Sequence, residues 1–429
     1  MKWGQLYAVR SYLRSALWVI PVAAYLASFI VIRILSAIDD ALGWSWYWTM
    51  EISVVQNVLQ GMVAATGTFL VFAFSSLLVA IQVASAQLSP RIIATTLLRD
   101  RNIRLIVALF VLTVSFDLGT LVRSQTHVPY LLLTVAIVFA GSSTVAFVYL
   151  IDHAARLLRP VSIVWRLGEA GIEVVEQVYP HKIASADRPS RPRPDLSVPM
   201  RTVVHNGVSA IVLAVDLDTL VAEAERTGGV IEFTHQIGDF VSVGEPIFLL
   251  YGGAASADDD VLQAAIAMGP ERTIEQDATF AFRIIVDIAI KALSKAINDP
   301  TTAVLAIDQL HRLLRAVGRR HLHDDVVRDT TGNARLVFRT PDWKDFVQLA
   351  CREIRLYGVE NYQISRRMRA MLENLMQILP ETRCAALQKE LELLDHALER
   401  LNLQPDDLDL ARVSDFQGLG GATRKRLAS

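Results

Sequence analysis

Long apolar stretches separated by short polar segments fill the first 152 residues of the chain. A helix needs about 20 apolar residues to cross the hydrocarbon core of a bilayer. Four stretches approach or exceed that length, at approximately 17–38, 62–85, 104–123 and 128–151. Before the second of them, Ile52–Gln60 places amide side chains among valines and leucines, which predicts a separate interfacial helix. The pattern therefore predicts a four-helix transmembrane domain over residues 1–152.

Beyond residue 152 the pattern is that of a protein surrounded by water. Charged positions at helical spacing predict a membrane-exit helix from Asp152 to about Tyr179, and a proline-rich linker completes segment 153–199. Alternating apolar positions between turn residues predict a small β-rich module over 200–252. Apolar stripes at helical spacing predict a mainly helical domain over 253–404, and segment 405–429 is predicted to be a flexible tail.

Composition supports this division into two chemically different parts. Residues 1–152 contain 15 of the 86 Asp, Glu, Lys and Arg side chains, although they make up about a third of the chain. The predicted fold class is an α-helical membrane domain with four transmembrane helices plus a cytoplasmic α+β domain. A net charge of −2 gives no reason to expect nucleic acid as a partner. The two cysteines, Cys351 and Cys384, exclude a disulfide framework.

The distribution of basic residues predicts the orientation in the membrane. Positively charged residues are enriched in the cytoplasmic flanks of transmembrane helices. Only Arg33 and Arg123 lie near the ends predicted to be outside. The opposite ends carry Lys2, Arg10, Arg14, Arg91, Arg99, Arg101, Arg104, Arg156, Arg159 and Arg166. We therefore expect both termini to be cytoplasmic, with the first span retained rather than cleaved as a signal peptide.

The second span carries a polar seam, formed by Thr68, Ser75, Gln82 and Ser89 at intervals of seven residues. This spacing places the four side chains along one face of a helix. Polar groups at that depth must face protein or water. The seam either forms hydrogen bonds between close-packed helices, helped by nearby glycines and alanines, or lines a hydrated pathway or an oligomeric pore.

A second candidate in the membrane is Asp117, an acid in the third span. Ionisable residues inside a membrane are functional candidates by default. Asp117 lies six residues before Arg123 and four after Thr113. It is either a structural acid that reaches toward the outer face or bonds to Thr113, or a site for an ion or a proton.

The segment from Glu271 to Leu314 predicts a helical hairpin whose second helix begins at Asp299-Pro300. Arg283, Asp287 and Lys291 stand four residues apart on the first helix and can form ion pairs. Two interpretations stay open. The polar residues cap and bridge the helices, or they bind a polar ligand at the second helix N-terminus. The candidate ligand-binding residues are Arg272, Arg283, Asp287, Lys291, Asn298 and Asp299.

Other chemistry has weaker support. His321 and His323, with His311, Asp324 and Asp325 nearby, lack the spacing of a helical metal site, and we expect no metal. Segment Ile237–Val241 resembles the turns of lipoyl or biotinyl modules, but no lysine stands at a hairpin tip, so we expect no cofactor. The chain lacks a phosphate-binding loop, a dinucleotide fingerprint and a nucleophile elbow, which favours a non-enzymatic protein.

The run Ala292–Pro300, Ala-Leu-Ser-Lys-Ala-Ile-Asn-Asp-Pro, resembles the signature of a bacterial family of predicted inner-membrane proteins, the domain of unknown function 2254 family. That signature has Pro-Gly where this chain has Lys295-Ala296, so the turn before Asn298 is expected to form differently. Further matches are Gln87–Arg91, Gly238–Phe240, Gly269–Thr273, Gln276–Asp277, Val286–Ala289 and Arg355–Gly358. The resemblance implies a multi-pass protein of the bacterial inner membrane. It implies no catalytic residue, because the family has no established activity.

Two functions follow as hypotheses. The first is a non-enzymatic, homo-oligomeric membrane protein with a cytoplasmic regulatory body and channel-like permeation along the seam. The alternative is a membrane-tethered sensor or scaffold that binds a small ligand or a protein at residues 271–302. The expected partners are the lipid bilayer, further copies of the chain and a ligand or protein on the cytoplasmic side, without nucleic acid.

Overall fold

The computed structural model describes most of the chain. The described residues are Trp3, Gly4, Leu6, Tyr7, Leu13, Ala16, 18–42, 50–87, 100–125, 128–157, 159–183, 194–196, 198–322 and 325–420. They form two compact units. The membrane unit comprises the described residues of 12–163 except residue 87, and the α/β unit those of 164–420 together with the described residues of 1–11 and residue 87.

Four long apolar helices build the membrane unit. They are α1 Val19–Leu42, α2 Ile52–Gln87, α3 Arg101–Arg123 and α4 Tyr130–Leu157. Within the described residues, these four helices are long and apolar enough to cross a membrane. Asp100 begins α3 by accepting hydrogen bonds from the backbone N–H groups of Asn102 and Ile103 at 3.0 and 3.1 Å. The predicted fold class, four apolar helices followed by a mixed α/β region, is confirmed.

The second span differs from its prediction. Segment Ile52–Gln60 is not a separate interfacial helix but the start of α2, which runs unbroken for 36 residues. Val55 and Leu59 are fully buried and pack with Phe116 of α3. These two side chains extend the buried face of α2 by two turns. The packing thus overrides the local polarity of the glutamine-rich segment.

The predicted membrane-exit helix is also divided. Helix α4 continues to Leu157, and a separate helix, α5, spans Pro160–Val178. Proline lacks a backbone N–H and is tolerated in the first turn of a helix but not in its interior, which explains a new start at Pro160. The carbonyl of Arg159 accepts the first hydrogen bonds of α5, from the amides of Ser162 and Ile163 at 2.9 and 3.2 Å.

Two small sheets lie in the α/β unit. The strands are β1 Arg201–Val204, β2 Ala210–Val215, β3 Gly229–Phe233, β4 Phe240–Val241, β5 Pro246–Gly252, β6 Ile266–Gly269, β7 Val326–Arg328 and β8 Ala334–Val337. In the described residues one sheet has the order β1-β5-β3-β8-β7 and the other β4-β2-β6. All these pairs are antiparallel except β3 with β8. The β structure therefore extends past the predicted boundary at residue 252.

A shared apolar core joins the two sheets. Val212 and Val215 of β2 pack in one cluster with Ile231, Phe248 and Leu336 of the other sheet. A short helix, α6 Leu217–Thr227, begins at Asp216, whose carboxylate accepts a hydrogen bond from the amide of Thr219 at 3.2 Å. Trp3 and Tyr7 stack at 5.4 Å and pack against a small cluster on β2 and β6. The start of the chain is thus part of the α/β unit.

The remaining helices form the second half of the α/β unit. They are α7 Asp259–Ala264, α8 Ala278–Ala292, α9 Pro300–Gly318, α10 Trp343–Gly358, α11 Tyr362–Ile378, α12 Glu381–Glu399 and α13 Pro405–Ala411. Helices α8 and α9 form the hairpin expected from the sequence. Phe282 of α8 packs against Phe346 of α10 with ring centroids 5.2 Å apart, so the hairpin is held by its apolar side.

The segment expected to be a flexible tail is folded as far as residue 420. After α13, the carboxylate of Asp415 accepts hydrogen bonds from the amides of Gln417, Gly418 and Gly420 at 3.0, 2.9 and 2.6 Å. Arg366 of α11 is fully buried and donates to the carbonyls of Val413 and Gly420, each at 2.9 Å. Sequence composition missed these contacts because their partners are backbone groups. Residues 421–429 lie outside the described residues.

Candidate functional site

The residues at the start of the predicted ligand site form a closed polar contact. Arg272 donates through Nε to the carboxylate of Asp277 at 2.5 Å and through Nη2 to Thr279 Oγ1 at 3.2 Å. Asp277 also begins α8 by accepting a hydrogen bond from the amide of Phe280 at 3.0 Å. A Cβ at Gly238, whose φ is +94°, would lie 2.3 Å from the Arg272 guanidinium. Glycine at position 238 therefore allows Arg272 to cross the turn before β4.

Arg283 is the centre of a second contact. Its Nε donates to Asp287 Oδ1 at 2.7 Å, one turn along α8, and Nη1 donates to Glu353 of α10. Burial opposes the charge of Arg283, but hydrogen bonds to Glu353 and Asp287 outweigh it and raise the pKa of the guanidinium. The same contact with Arg283 lowers the pKa of Glu353. We did not predict Glu353 as a site residue, because Glu353 lies 70 residues from Arg283 and local residue spacing does not indicate this ion pair.

The Asn-Asp-Pro run forms the turn into α9. Asn298 is exposed and has a φ of 48°, in the left-handed region that asparagine tolerates better than most residues. The Asp299 carboxylate accepts from the amide and the hydroxyl of Thr302 at 3.1 and 2.5 Å. The amides of Ile297 and Asn298 donate to the Ser294 carbonyl at 3.1 and 2.9 Å. Lys295 and Ala296 are exposed in this turn, which closes without the family's Pro-Gly.

These six predicted residues do not assemble into one ligand site. Arg272 lies at the start of α8, whereas Asn298 and Asp299 lie beyond its end, and a helix of 15 residues is about 22 Å long. Arg272, Arg283 and Asp299 each have partners of their own. Lys291 is half-buried on α8 and also makes a polar interaction. In the described structure, Arg272, Arg283 and Asp299 thus make contacts that cap or bridge helices of the same chain.

The polar seam of α2 has a different character. Thr68, Ser75 and Gln82 are all exposed on the outside of the membrane unit, while Ser89 lies outside the described residues. The opposite face of α2 is buried through Val55, Leu59, Thr66 and Ala73. The Thr68 hydroxyl donates to the Ala64 carbonyl at 2.8 Å. The described part of a single chain therefore leaves this polar face uncovered.

Small residues accompany the seam along α2. Gly61 and Ala64 are exposed on the same side of the helix, two turns and one turn before Thr68, respectively. A Cβ added at Gly61 or Gly67 would meet no atom within 4 Å in the described structure. Small residues let helices approach closely in a membrane. The uncovered face has the composition of a helix–helix contact.

Asp117 does not belong to the seam. It lies on α3, is fully buried, and neither of its carboxylate oxygens has a hydrogen-bond partner among the described residues. The Thr113 hydroxyl donates to the Leu109 carbonyl at 2.8 Å and lies 2.9 Å from Ser143 Oγ. Arg123 pairs with Asp40 of α1 at 2.6 Å. Asp117 therefore forms no hydrogen bond with Thr113 in the described structure, and Arg123 pairs with Asp40.

The histidines that the structure describes do not form a metal-binding cluster. No group of three or more His, Cys, Asp or Glu side chains there is placed to hold a metal ion. His311 instead contacts Asn374 through Nε2 at 2.9 Å and Arg367 through Nδ1 at 3.3 Å. His323 and Asp324 of the predicted loop lie outside the described residues.

Comparisons with known proteins agree with the resemblance seen in the sequence. The uncharacterized protein Rv1290c of Mycobacterium tuberculosis and the uncharacterized protein Mb1321c of Mycobacterium bovis are each 28% identical to this chain. Each alignment covers 97% of this chain and 81% of the relative. No solved structure matches the chain. The family model described as predicted membrane protein (DUF2254) matches residues 14–374, so the chain belongs to that family of membrane proteins.

Proposed function

We propose that the protein is a non-enzymatic homo-oligomer whose subunits meet through the polar face of α2 and form a path for small hydrated solutes between these helices. One observation carries the proposal. Thr68, Ser75 and Gln82 lie exposed along one face of α2, opposite the face that packs against α3 and α4.

A polar face on a transmembrane helix needs contact with something other than lipid. Hydrocarbon offers no hydrogen bonds, so polar side chains at that depth turn toward protein or water. Within one chain the exposed seam faces neither α1, α3 nor α4. A second copy of α2 would supply both the missing cover and, between the copies, polar groups for water.

The number of spans supports an assembly of several subunits. Transporters with internal repeats build their central site from two related sets of helices. Four candidate spans in the described residues are too few for that arrangement. A hydrated path would therefore lie between chains, with Ser75 and Gln82 among the polar groups along it.

The proposed location is the bacterial inner membrane with the α/β unit in the cytoplasm. Ten basic residues near one set of helix ends, against two near the other, support this orientation. Trp3 and Tyr7 belong to the same compact unit as the β strands. Four crossings of the membrane would bring both parts to the same side, which is consistent with this packing.

The alternative function, a sensor or scaffold at residues 271–302, has no comparable support. Arg272 and Arg283 already bind carboxylates of the same chain. A ligand would have to displace those carboxylates before it could use either guanidinium. We therefore propose the exposed face of α2, rather than residues 271–302, as the functional site.

Disulfide crosslinking tests the subunit contact. In a Cys384→Ser background, we expect Ser75→Cys and Thr68→Cys to form crosslinked dimers upon oxidation in native membranes. Cys351 is fully buried, and burial raises the pKa of its thiol, so it stays unreactive. Val145→Cys on α4 is the matched control, because Val145 is 71% exposed but lies on a different helix from the seam. Equal crosslinking at positions 75 and 145 would contradict the proposed contact.

Ion flux from reconstituted vesicles tests the path itself. We expect the double variant Ser75→Ala, Gln82→Leu to reduce potassium or chloride flux several-fold, while Val145→Leu retains the wild-type rate. The path is refuted if the wild-type protein conducts neither ion, or if the double variant conducts as well as the wild type. If the subunits crosslink but no ion flux is measured, the proposed oligomer stands and the proposed path is refuted.

A further inference from the structure

Asp117 is a carboxyl group in the interior of the membrane unit without any described partner. Its relative exposure is 0%, and Oδ1 and Oδ2 both lack a hydrogen bond among the described residues. Phe116, its neighbour in the chain, packs in a cluster with Val55 and Leu59 of α2 and Leu132 of α4. Asp117 thus lies at a level where all four helices pack through apolar side chains.

Four hydroxyl groups on α1, α3 and α4 already use their protons elsewhere. On α3, Thr113 donates to the Leu109 carbonyl at 2.8 Å and Thr120 to the Phe116 carbonyl at 2.9 Å. Ser28 of α1 donates to the Tyr25 carbonyl at 2.6 Å. Ser143 of α4 lies 2.9 Å from Thr113 Oγ1, whose own proton is committed, so Ser143 is the donor in that pair. These hydroxyls leave Asp117 without a donor to stabilise a negative charge.

Charged groups on the surrounding helices do not neutralise Asp117 either. Helix α2 has no Asp, Glu, Lys or Arg over its whole length. On α1, Arg33 is exposed, Asp39 accepts from the Leu131 amide, and Asp40 binds Arg123 of α3. The other Asp, Arg and His side chains of α3 and α4 lie toward the opposite ends of those helices, beginning about 20 Å from Asp117. They are Arg101, Arg104, Asp152, His153 and Arg156.

An ionised carboxylate in such surroundings loses its hydration and gains neither a donor nor a cation. The neutral acid loses far less, since it carries no net charge. We infer that Asp117 is a proton-binding site, occupied when the membrane unit has the packing seen here. The ligand is the proton, and the inference requires neither the proposed oligomer nor the proposed path.

Proton release has a structural consequence. A charge at Asp117 would need water or a new donor beside Phe116, in the cluster that holds the first turns of α2. Water entering there would separate α2 from α3 and α4. The occupied site therefore favours the close packing of the four helices, and the empty site favours a looser, hydrated arrangement.

Infrared spectroscopy of the full-length protein in lipid vesicles tests the site directly. With carbon-13 in the aspartate carboxyl groups, we expect the wild type at neutral pH to show the carbonyl band of a protonated aspartate. The band should be absent in Asp117→Asn and retained in Asp152→Asn, since Asp152 is an exposed carboxylate paired with Arg156. A wild-type spectrum without the band at neutral pH, or a band that survives in Asp117→Asn, would overturn the inference. A band that disappears when sodium is added at constant pH would also overturn it, in favour of a cation site.

Thermal unfolding gives a second readout. If the folded membrane unit holds a proton that the unfolded chain releases, stability falls as the pH rises, until the folded form also releases it. We expect Asp117→Asn, which mimics the neutral acid, to match the wild type near pH 4 and to unfold at least roughly 2 °C higher at pH 9. A difference between the two proteins that is independent of pH would refute proton binding. Failure of the crosslinking or flux experiments would leave both readouts unaffected.

Discussion

At the scale of single residues, His311 shows how burial decides a charge state. Its ring lies between α9 and α11, where Nε2 donates to Asn374 Oδ1 and Nδ1 faces the guanidinium of Arg367. Burial, followed by the charge of Arg367, lowers the pKa of His311 from 6.5 to about 4. Neutral imidazole can accept from Arg367, whereas the protonated ring cannot. His311 is therefore a packing residue whose surroundings favour the neutral imidazole.

This charge state predicts a pH dependence of stability. Between pH 6.5 and about 4 the unfolded chain binds a proton at His311 that the folded chain does not. Stability therefore rises with pH across this window and falls as the pH is lowered, by on the order of 3 kcal/mol in total. We expect His311→Gln to remove this slope in unfolding measurements on the detergent-solubilised protein. His396→Gln is the control, since His396 is exposed on α12, and an unchanged slope in His311→Gln would contradict the assignment.

At the scale of elements, the Asn-Asp-Pro run determines where α9 begins. The Asp299 carboxylate caps the helix by accepting from Thr302, and replacement of such a cap by alanine costs about 1 kcal/mol. Asn298 adopts the left-handed conformation, where alanine is less favourable than asparagine. We expect Asp299→Ala and Asn298→Ala each to lower the free energy of unfolding by about 1 kcal/mol, and Asn298→Gly to leave it nearly unchanged. Lys295→Ala, at an exposed position of the same turn, should be neutral; comparable losses at 295 and 299 would count against the capping role.

The elements that could be predicted from the sequence were those defined by local pattern. Apolar length located the four membrane helices, and helical spacing with Asp299-Pro300 located the α8–α9 hairpin. The strand pairing of β3 with β8 was not predictable, because it joins residues about a hundred positions apart and depends on packing between the sheets. The Arg283–Glu353 contact and the carbonyls bound by Arg366 were missed for the same reason. Among the candidate sites, the seven-residue period located the seam on α2. The sequence did not show whether the side chains of the seam are exposed.

At the scale of the whole molecule, polar groups in the membrane unit are treated in two ways. The seam of α2 is exposed, and we propose that a second copy of the chain covers it, whereas Asp117 is enclosed, and we infer that it binds a proton. The two proposals therefore concern different helices of the membrane unit. If ion flux depends on pH, the two proposals are connected only when the single substitution Asp117→Asn, with Ser75 and Gln82 unchanged, abolishes that pH dependence.

The predicted orientation of the whole chain in the membrane depends on the even number of spans. Gln125 follows α3 and is exposed near the ends predicted to be outside, whereas Ser256 is exposed in the α/β unit. In a Cys384→Ser background, we expect a membrane-impermeant thiol reagent to label Gln125→Cys in intact spheroplasts and Ser256→Cys only after lysis. Labelling of Ser256→Cys in intact spheroplasts would place the α/β unit outside and reverse the basic-residue argument. Because Trp3 and Tyr7 pack within the α/β unit, a cysteine at exposed position Leu6 should follow Ser256→Cys in either orientation.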